Sequence, residues 1–134
     1  MINLHDQLNL SKLTILDKSG DVLCFELKPP SDTYTCMMGH LSMLLDVQMS
    51  SCGKYIITCD RDEKIRVSRF PNAYNIKCYC LGHTDFVSNI QVLNNFNEKI
   101  LLSGSGDGSI RVWKYLLGIE VRIGLFKPKM VDFI

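Results

Sequence analysis

Neither sign of charge dominates this sequence: 15 Lys and Arg stand against 14 Asp and Glu, for a formal net charge of +1. Net charge therefore makes no general case for a nucleic-acid or membrane partner, and electrostatic recognition has to come from local clusters. No apolar run approaches the roughly 18 residues needed to span a bilayer, and the N-terminus does not read as a signal peptide. The six cysteines, Cys24, Cys36, Cys52, Cys59, Cys78 and Cys80, include no Cys-x-x-Cys pair, which argues against a zinc site or a disulfide framework. Most of them sit in apolar, strand-like stretches, where a reduced thiol behaves as a small hydrophobe. That pattern fits a cytosolic or nuclear chain. With 46% hydrophobic and 22% charged residues, the composition argues against disorder. The 134 residues are enough for one domain with a sizeable core.

What the sequence does contain is a repeat. Gly39-His40 is followed by Asp62-Glu63-Lys64-Ile65-Arg66-Val67, and Gly82-His83 by Asp107-Gly108-Ser109-Ile110-Arg111-Val112-Trp113-Lys114. The two Gly-His pairs are 43 residues apart. A period of ~40–45 residues that opens on Gly-His and closes near Trp-Asp is the signature of one four-stranded propeller blade. The expected fold class is all-β: a partial WD-repeat β-propeller of about three four-stranded antiparallel blades. Propellers close with roughly 4–8 blades, so the ring is not closed, and the chain reads as an arc.

Taken in order, residues 1–38 form a degenerate, incomplete first blade. Leu13–Leu16, the Asp17–Asp21 turn and Val22–Phe25 read as strand, turn, strand, with Thr33–Met38 outside them. Leu4, Leu8, Leu10 and Leu13 are the candidates for a further strand. Phe25 takes the Trp113 position here and Ser19 the Asp107 position. Residues 39–81 make the second blade, with strands over Leu44–Ser50, Lys54–Thr58, Lys64–Phe70 and Ile76–Leu81. Residues 82–124 make the third, with strands over Val87–Leu93, Lys99–Ser103, Ser109–Tyr115 and Glu120–Gly124. Residues 125–134 form a C-terminal tail with no fourth Gly-His.

In such a repeat the His, a hydroxyl residue, the turn Asp and the Trp form one hydrogen-bonded chain across the blade. The third blade supplies His83, Ser103, Asp107 and Trp113. The second supplies His40, Thr58 and Asp62, with Ser68 where the Trp belongs. Both copies recur in frame with the fold, so they read as structural and not as a catalytic His-Asp pair. Ile100-Leu101-Leu102-Ser103-Gly104-Ser105-Gly106-Asp107-Gly108 resembles a strand leading into a phosphate-cradling loop, but that mechanism needs a helix N-terminus next. Ser109-Ile110-Arg111-Val112-Trp113 alternates like a strand instead, so the glycines read as a tight turn needing positive φ. Neither a cofactor site nor a metal site is expected. Seven of the ten residues from Asp60 to Arg69 are charged, which is dense for a strand between blades. A solvated rim and a charged partner surface both account for this. The 43-residue repeat alone also suits a generic WD-repeat protein-interaction module of another assembly, and direct RNA binding through Arg61, Lys64, Arg66, Arg69 and Lys77 is a further alternative, which strong salt dependence would reveal.

Gly39-His40-Leu41-Ser42-Met43-Leu44-Leu45-Asp46-Val47, Asp60-Arg61-Asp62-Glu63-Lys64-Ile65-Arg66-Val67-Ser68 and Leu81-Gly82-His83-Thr84-Asp85-Phe86-Val87-Ser88 resemble the non-catalytic WD-repeat subunit of tRNA (guanine-N7-)-methyltransferase. Asp17–Val22 fits the same family. The resemblance implies a seven-bladed scaffold, not an enzyme. That scaffold stabilises and orients a separate catalytic subunit, its partner in a heterodimer, which carries S-adenosylmethionine and methylates N7 of a guanosine in tRNA. It further implies that Glu63, Lys64 and Arg66 contact that partner, that tRNA is reached only through the complex, and that the protein is nuclear or also cytoplasmic.

Overall fold

The computed structural model describes residues 2–5, 12–16, 20–26, 34–39, 42–93 and 99–125. These residues form strands and turns, with no helix among them. Strands β1 (Ile2–His5), β2 (Lys12–Leu16), β3 (Val22–Glu26) and β4 (Tyr34–Met38) pair antiparallel in chain order as one sheet. The second sheet holds β5 (Leu44–Met49), β6 (Tyr55–Asp60), β7 (Lys64–Arg69) and β8 (Ile76–Leu81). The third holds β9 (Val87–Leu93), β10 (Ile100–Ser105), β11 (Ser109–Lys114) and β12 (Ile119–Leu125). Each sheet is a four-stranded meander, and the three form an unclosed arc of propeller blades.

Sequence alternation explains how the blades stack. On β7, Ile65 and Val67 are buried, Arg66 between them is half-buried, and Lys64 and Arg69 are exposed. Side chains two apart share a face, so Ile65 and Val67 meet the third blade's Leu101, Trp113 and Tyr115 in one apolar cluster. A second cluster joins Val22 of the first blade to Leu44, Val47, Ile56 and Ala73 of the second. The middle blade is therefore covered on both faces. Its β6 accordingly reads as an unbroken buried run from Ile56 to Asp60, as expected for a strand with no wet side. Burial of each Val, Leu or Ile contributes on the order of 1.5–3 kcal/mol, so this two-sided packing is the main source of cohesion between blades.

A polar contact also crosses from the second blade to the third. The register of β5 against β6 shifts between Leu44 and Asp46. Asp46 Oδ1 accepts the N–H of Val47 at 2.8 Å, and its Oδ2 accepts the N–H of Ile90 in β9 at 3.0 Å. A carboxylate in the second blade thereby satisfies backbone in the third.

The first blade differs from the sequence expectation. It has four strands and is not incomplete, because β1 pairs with β2 from Ile2↔Ile15 to His5↔Lys12. Only Ile2 and Leu4 in β1 are apolar, too short an alternation to stand out beforehand. Of the four leucines nominated for an extra strand, Leu4 lies in β1 and Leu13 in β2, whereas Leu8 and Leu10 fall outside the described residues, as do Ser19 and the tail beyond residue 125. Strands β6 and β10 also run two residues further than expected, to Asp60 and Ser105.

The Asp46 bridge gives a direct test. Asp46→Ala removes a charged acceptor for two backbone donors and should cost about 1.5–3 kcal/mol. Urea denaturation should show a lower midpoint with an unchanged slope. An unchanged midpoint would mean that the Asp46 bridge does not help to join the two blades.

Candidate protein-binding site

The polar interior of the third blade can be built from one constraint. Trp113 is fully buried, and its indole N–H can only donate. It donates to Ser103 Oγ at 2.8 Å. The Ser103 hydroxyl then directs its own proton to His83 Nε2, 2.6 Å away, which leaves the imidazole proton on Nδ1. That proton faces Asp107 Oδ2 at 2.9 Å, with Ser109 Oγ at 3.1 Å on its flank. The Ser109 hydroxyl donates to Asp107 Oδ1 at 2.5 Å and accepts from Arg111 Nε at 3.2 Å. The backbone N–H groups of Thr84 and Ser109 complete the carboxylate's shell at 3.0 and 2.8 Å. Arg111 in turn reaches Glu120 Oε1 with Nη1 at 2.6 Å.

Ser103, His83 and Asp107 thus have the connectivity of a nucleophile, a base and an orienting carboxylate. Access decides against that chemistry. Ser103 and His83 are both buried, and the Trp113 N–H already occupies the oxygen that would have to attack. The chain ties β10, β11 and the entry to the blade together, and each buried bond of this kind contributes about 1 kcal/mol.

The glycine-rich loop after Leu102 is followed by β11 and not by a helix, so it offers no helix N-terminus to a phosphate. Of its glycines, Gly108 alone among the described residues adopts positive φ, at 80°. Gly106 serves a different need: a Cβ there would collide with the Phe86 ring.

The second blade uses the same backbone with different side chains. His40 lies outside the described residues. Thr58 and Ser68 are both buried at the positions of Ser103 and Trp113, while Asp62 is exposed in the β6–β7 turn. The carboxylate that organises this turn is Asp60, which the repeat pattern does not single out: its Oδ1 accepts the N–H of Asp62 at 2.9 Å and that of Lys64 at 3.2 Å. An Asp followed two residues later by another turn residue is the available signal for such a side-chain-to-backbone turn. Burial pushes the Asp60 carboxyl up, against the lowering effect of those two bonds.

Beyond Asp60 the turn projects outward. Glu63 and Lys64 are exposed, and Glu63 holds φ at 71°, the only described residue other than glycine with positive φ. Arg66 is half-buried, and its Nη2 donates to the Gly39 carbonyl at 3.1 Å. The structure therefore brings Glu63 and Lys64 together at a solvent-facing tip, with Arg66 set deeper against the entry to the blade.

Comparison with known proteins connects the chain to a family. The model of the tRNA methyltransferase TRM82 WD40 domain matches residues 3–123. The chain belongs to the TRM82 WD40 family. Members similar to it include the tRNA (guanine-N(7)-)-methyltransferase non-catalytic subunit wdr4 of Xenopus laevis, 53% identical over 109 residues, which cover 81% of this chain and 27% of the relative. The human WDR4 subunit is 49% identical over 110 residues, covering 82% of this chain and 26% of the relative. The wuho subunit of Drosophila mojavensis is 44% identical over 114 residues, covering 83% and 29%. This TRM82-type chain thus spans just over a quarter of the length of the curated relatives it matches. Among solved structures, the RRP9 WD40 repeats superpose with a TM-score of 0.73 at 24% identity, over 89% of this chain and 36% of that one. The WD40 propeller of Doa1 superposes with a TM-score of 0.73 at 18% identity, over 91% and 38%. These two likenesses concern the fold alone.

The Asp107 cluster makes a pH prediction for the TRM82-type blade. Burial alone would raise this carboxyl, but hydrogen bonds from the Ser109 hydroxyl, the Thr84 N–H, His83 and the Ser109 N–H hold it well below the usual carboxylate range. A carboxyl depressed in the folded state contributes stability that is complete above its unfolded value of ~3.9 and is lost as pH falls toward the folded value. The stability gap between the native protein and Asp107→Asn should therefore be constant from about pH 7 to 5 and shrink below about pH 4. A gap that stays constant down to pH 3, measured by urea unfolding, would show that the charge on Asp107 is not what the cluster stabilises.

Proposed function

We propose that this chain belongs to a non-catalytic scaffold subunit that binds and stabilises the catalytic subunit for N7-methylation of guanosine in tRNA. Contact is made at the tip of the β6–β7 turn by Glu63 and Lys64, with Arg66 holding the turn against Gly39. S-adenosylmethionine belongs to the catalytic partner, and tRNA is engaged through the complex. A nuclear and cytoplasmic location is part of the same proposal. The identity of the partner is suggested by the relatives, which are named as non-catalytic subunits of tRNA (guanine-N(7)-)-methyltransferase.

The observation that carries the site is the backbone at Glu63. The equivalent place in the third blade is held by Gly108, at φ 80°, where a residue without a Cβ adopts the left-handed region freely. Glu63 occupies it at φ 71° and meets a steric cost of about 1 kcal/mol. No buried packing offsets this cost, because the side chain is exposed. Backbone strain held by an exposed, charged side chain supports a side chain retained for contact with a partner. A carboxylate next to an ammonium on a projecting turn suits a surface of alternating charge, where complementarity sets specificity and association rate.

Two substitutions separate strain from contact. Glu63→Gly should stabilise the chain by about 1 kcal/mol and yet weaken binding of the catalytic methyltransferase subunit about tenfold, the equivalent of ~1.4 kcal/mol. Lys64→Glu should weaken binding with stability changed by no more than ~0.5 kcal/mol. Calorimetric titration alongside urea unfolding reads both quantities. If Glu63→Gly is more stable and binds equally well, the turn is not the interface.

A further inference from the structure

The two ends of the blades differ in chemistry. The end with the β6–β7 and β10–β11 turns mixes signs: Asp60, Asp62 and Glu63 stand beside Arg61, Lys64 and Arg66 on the second blade, and Asp85 and Asp107 beside Arg111 on the third. At the other end, where β5 turns into β6 and β7 into β8, the same blades present cations in a repeated arrangement. Arg69 ends β7 opposite Tyr55, and Lys114 ends β11 opposite Ile100. Lys54 and Lys99 stand one residue before those partners. In both blades the carbonyl of that lysine accepts the N–H that comes after the paired cation, Phe70 to Lys54 at 2.8 Å and Tyr115 to Lys99 at 3.2 Å. Lys54/Arg69 and Lys99/Lys114 are thus one cation pair, repeated in equivalent places.

Aromatic surface lies beside these cations. The Arg69 guanidinium carbon sits 5.9 Å from the centre of the Tyr55 ring, and Tyr74, in the β7–β8 turn, is 82% exposed. Lys54, Arg69 and Lys99 form no ion pair with a carboxylate among the described residues. Glu120, at the start of β12, is held by Arg111 at 2.6 Å. Lys54, Arg69 and Lys99, like charges with no ion pair among the described residues, repel one another, and an external anion relieves that repulsion. A second polypeptide would need complementary acids at fixed positions. A phosphodiester chain needs only phosphates at flexible spacing across packed sheets ~10 Å apart, together with a flat surface for a base.

We infer that this end of the second and third blades binds single-stranded nucleic acid, with Lys54, Arg69, Lys99 and Lys114 tracking phosphates and Tyr74 stacking a base. The surface lies at the opposite end of the blades from the Glu63 turn and does not depend on the scaffold reading. It shares Arg69 with the RNA-binding alternative raised from the sequence, but not Arg61, Lys64, Arg66 or Lys77.

Fluorescence anisotropy with a labelled, mixed-sequence RNA of about 20 nucleotides, several times the ~4 or more that one binding surface engages, tests this on the 134-residue chain, with folding of every variant verified by circular dichroism. Four phosphate contacts predict that log affinity falls with log salt at a slope of about −3. The double variant Lys54→Glu, Arg69→Glu should bind at least tenfold more weakly, with the slope flattened by about 1.4. Tyr74→Ala, at an exposed position that leaves the core intact, should weaken binding severalfold with an unchanged slope. Arg61→Glu, at the end with mixed charge, should change affinity less than twofold. The assignment is overturned if the RNA does not bind, or if Arg61→Glu is as damaging as the double variant. It is also overturned if heparin competes as well as unlabelled RNA while Tyr74→Ala has no effect, which would mark a surface for any polyanion. Single-stranded DNA of the same sequence, bound as tightly as RNA, would support a nucleic-acid surface that does not read the 2′-hydroxyl.

Discussion

An indole buried between two sheets has one proton it cannot leave unpaired, and the polar interior of the third blade is set by that requirement. Trp113 supplies the largest apolar surface at the junction with the second blade, so it cannot turn its N–H toward solvent without losing that packing. Ser103 has to accept, which obliges its hydroxyl to donate onward to His83 and places the imidazole proton toward Asp107. Each step removes a choice from the next. An unpaired donor at this depth costs about 1–3 kcal/mol, so one substitution affects the whole relay. The connectivity of a hydrolase is here a device for holding strands in place, and burial alone distinguishes the two uses.

The second blade shows the consequence of lacking the indole. Ser68 brings neither the bulk nor the obligatory donor, and the described contacts of the β6–β7 turn are organised by Asp60 from within β6. Apolar cover is not lost, because this blade lies between two others and buries Ile56 toward one cluster and Ile57 toward the other. With cohesion supplied by its neighbours, the turn can carry Glu63 in a backbone region that the third blade reserves for glycine. Local strain is tolerable where the surrounding packing over-determines the fold.

Much of this architecture is legible in the sequence, since a 43-residue repeat and period-two alternation are one-dimensional signals of blades and strands. Ile65 and Val67 announce a buried face, and the strand pattern after Gly108 rules out a phosphate loop by itself. Three features are not legible, each for a physical reason. Strand β1 has only two apolar residues, and its pairing depends on a neighbour about ten residues away. The repeat points to Asp62, and only the path of the turn shows that Asp60 is the carboxylate that meets the backbone donors. Asp46 looks like any polar residue in a strand, and its bond to Ile90 spans 44 positions. At the candidate site, the charge of Glu63, Lys64 and Arg66 is visible in the sequence, but the strain at the first and the half-burial of the third are not.

The different chemistry of the two ends arises from the same repeat geometry. In a meander blade, alternate turns emerge at opposite ends, so a residue type favoured at one turn accumulates on one rim when the repeat is copied. Carboxylates suit the β6–β7 and β10–β11 turns because successive backbone N–H groups there require an acceptor, as Asp60 and Asp107 show. At the other end the Tyr55 N–H is met by the Ser50 hydroxyl at 3.1 Å, and the strand-end carbonyls of Lys54 and Lys99 accept backbone N–H groups, so the described bonds there involve no carboxylate. Those lysines are therefore not needed to hold the turn. No hydrogen bond or ion pair of the Lys54 and Lys99 side chains is described, and their recurrence beside Arg69 and Lys114 suits the nucleic-acid surface inferred above. Asp60 and Asp107 at one rim are explained by folding, as their bonds to backbone N–H groups show; the cations at the other are accounted for by the ligand inferred above.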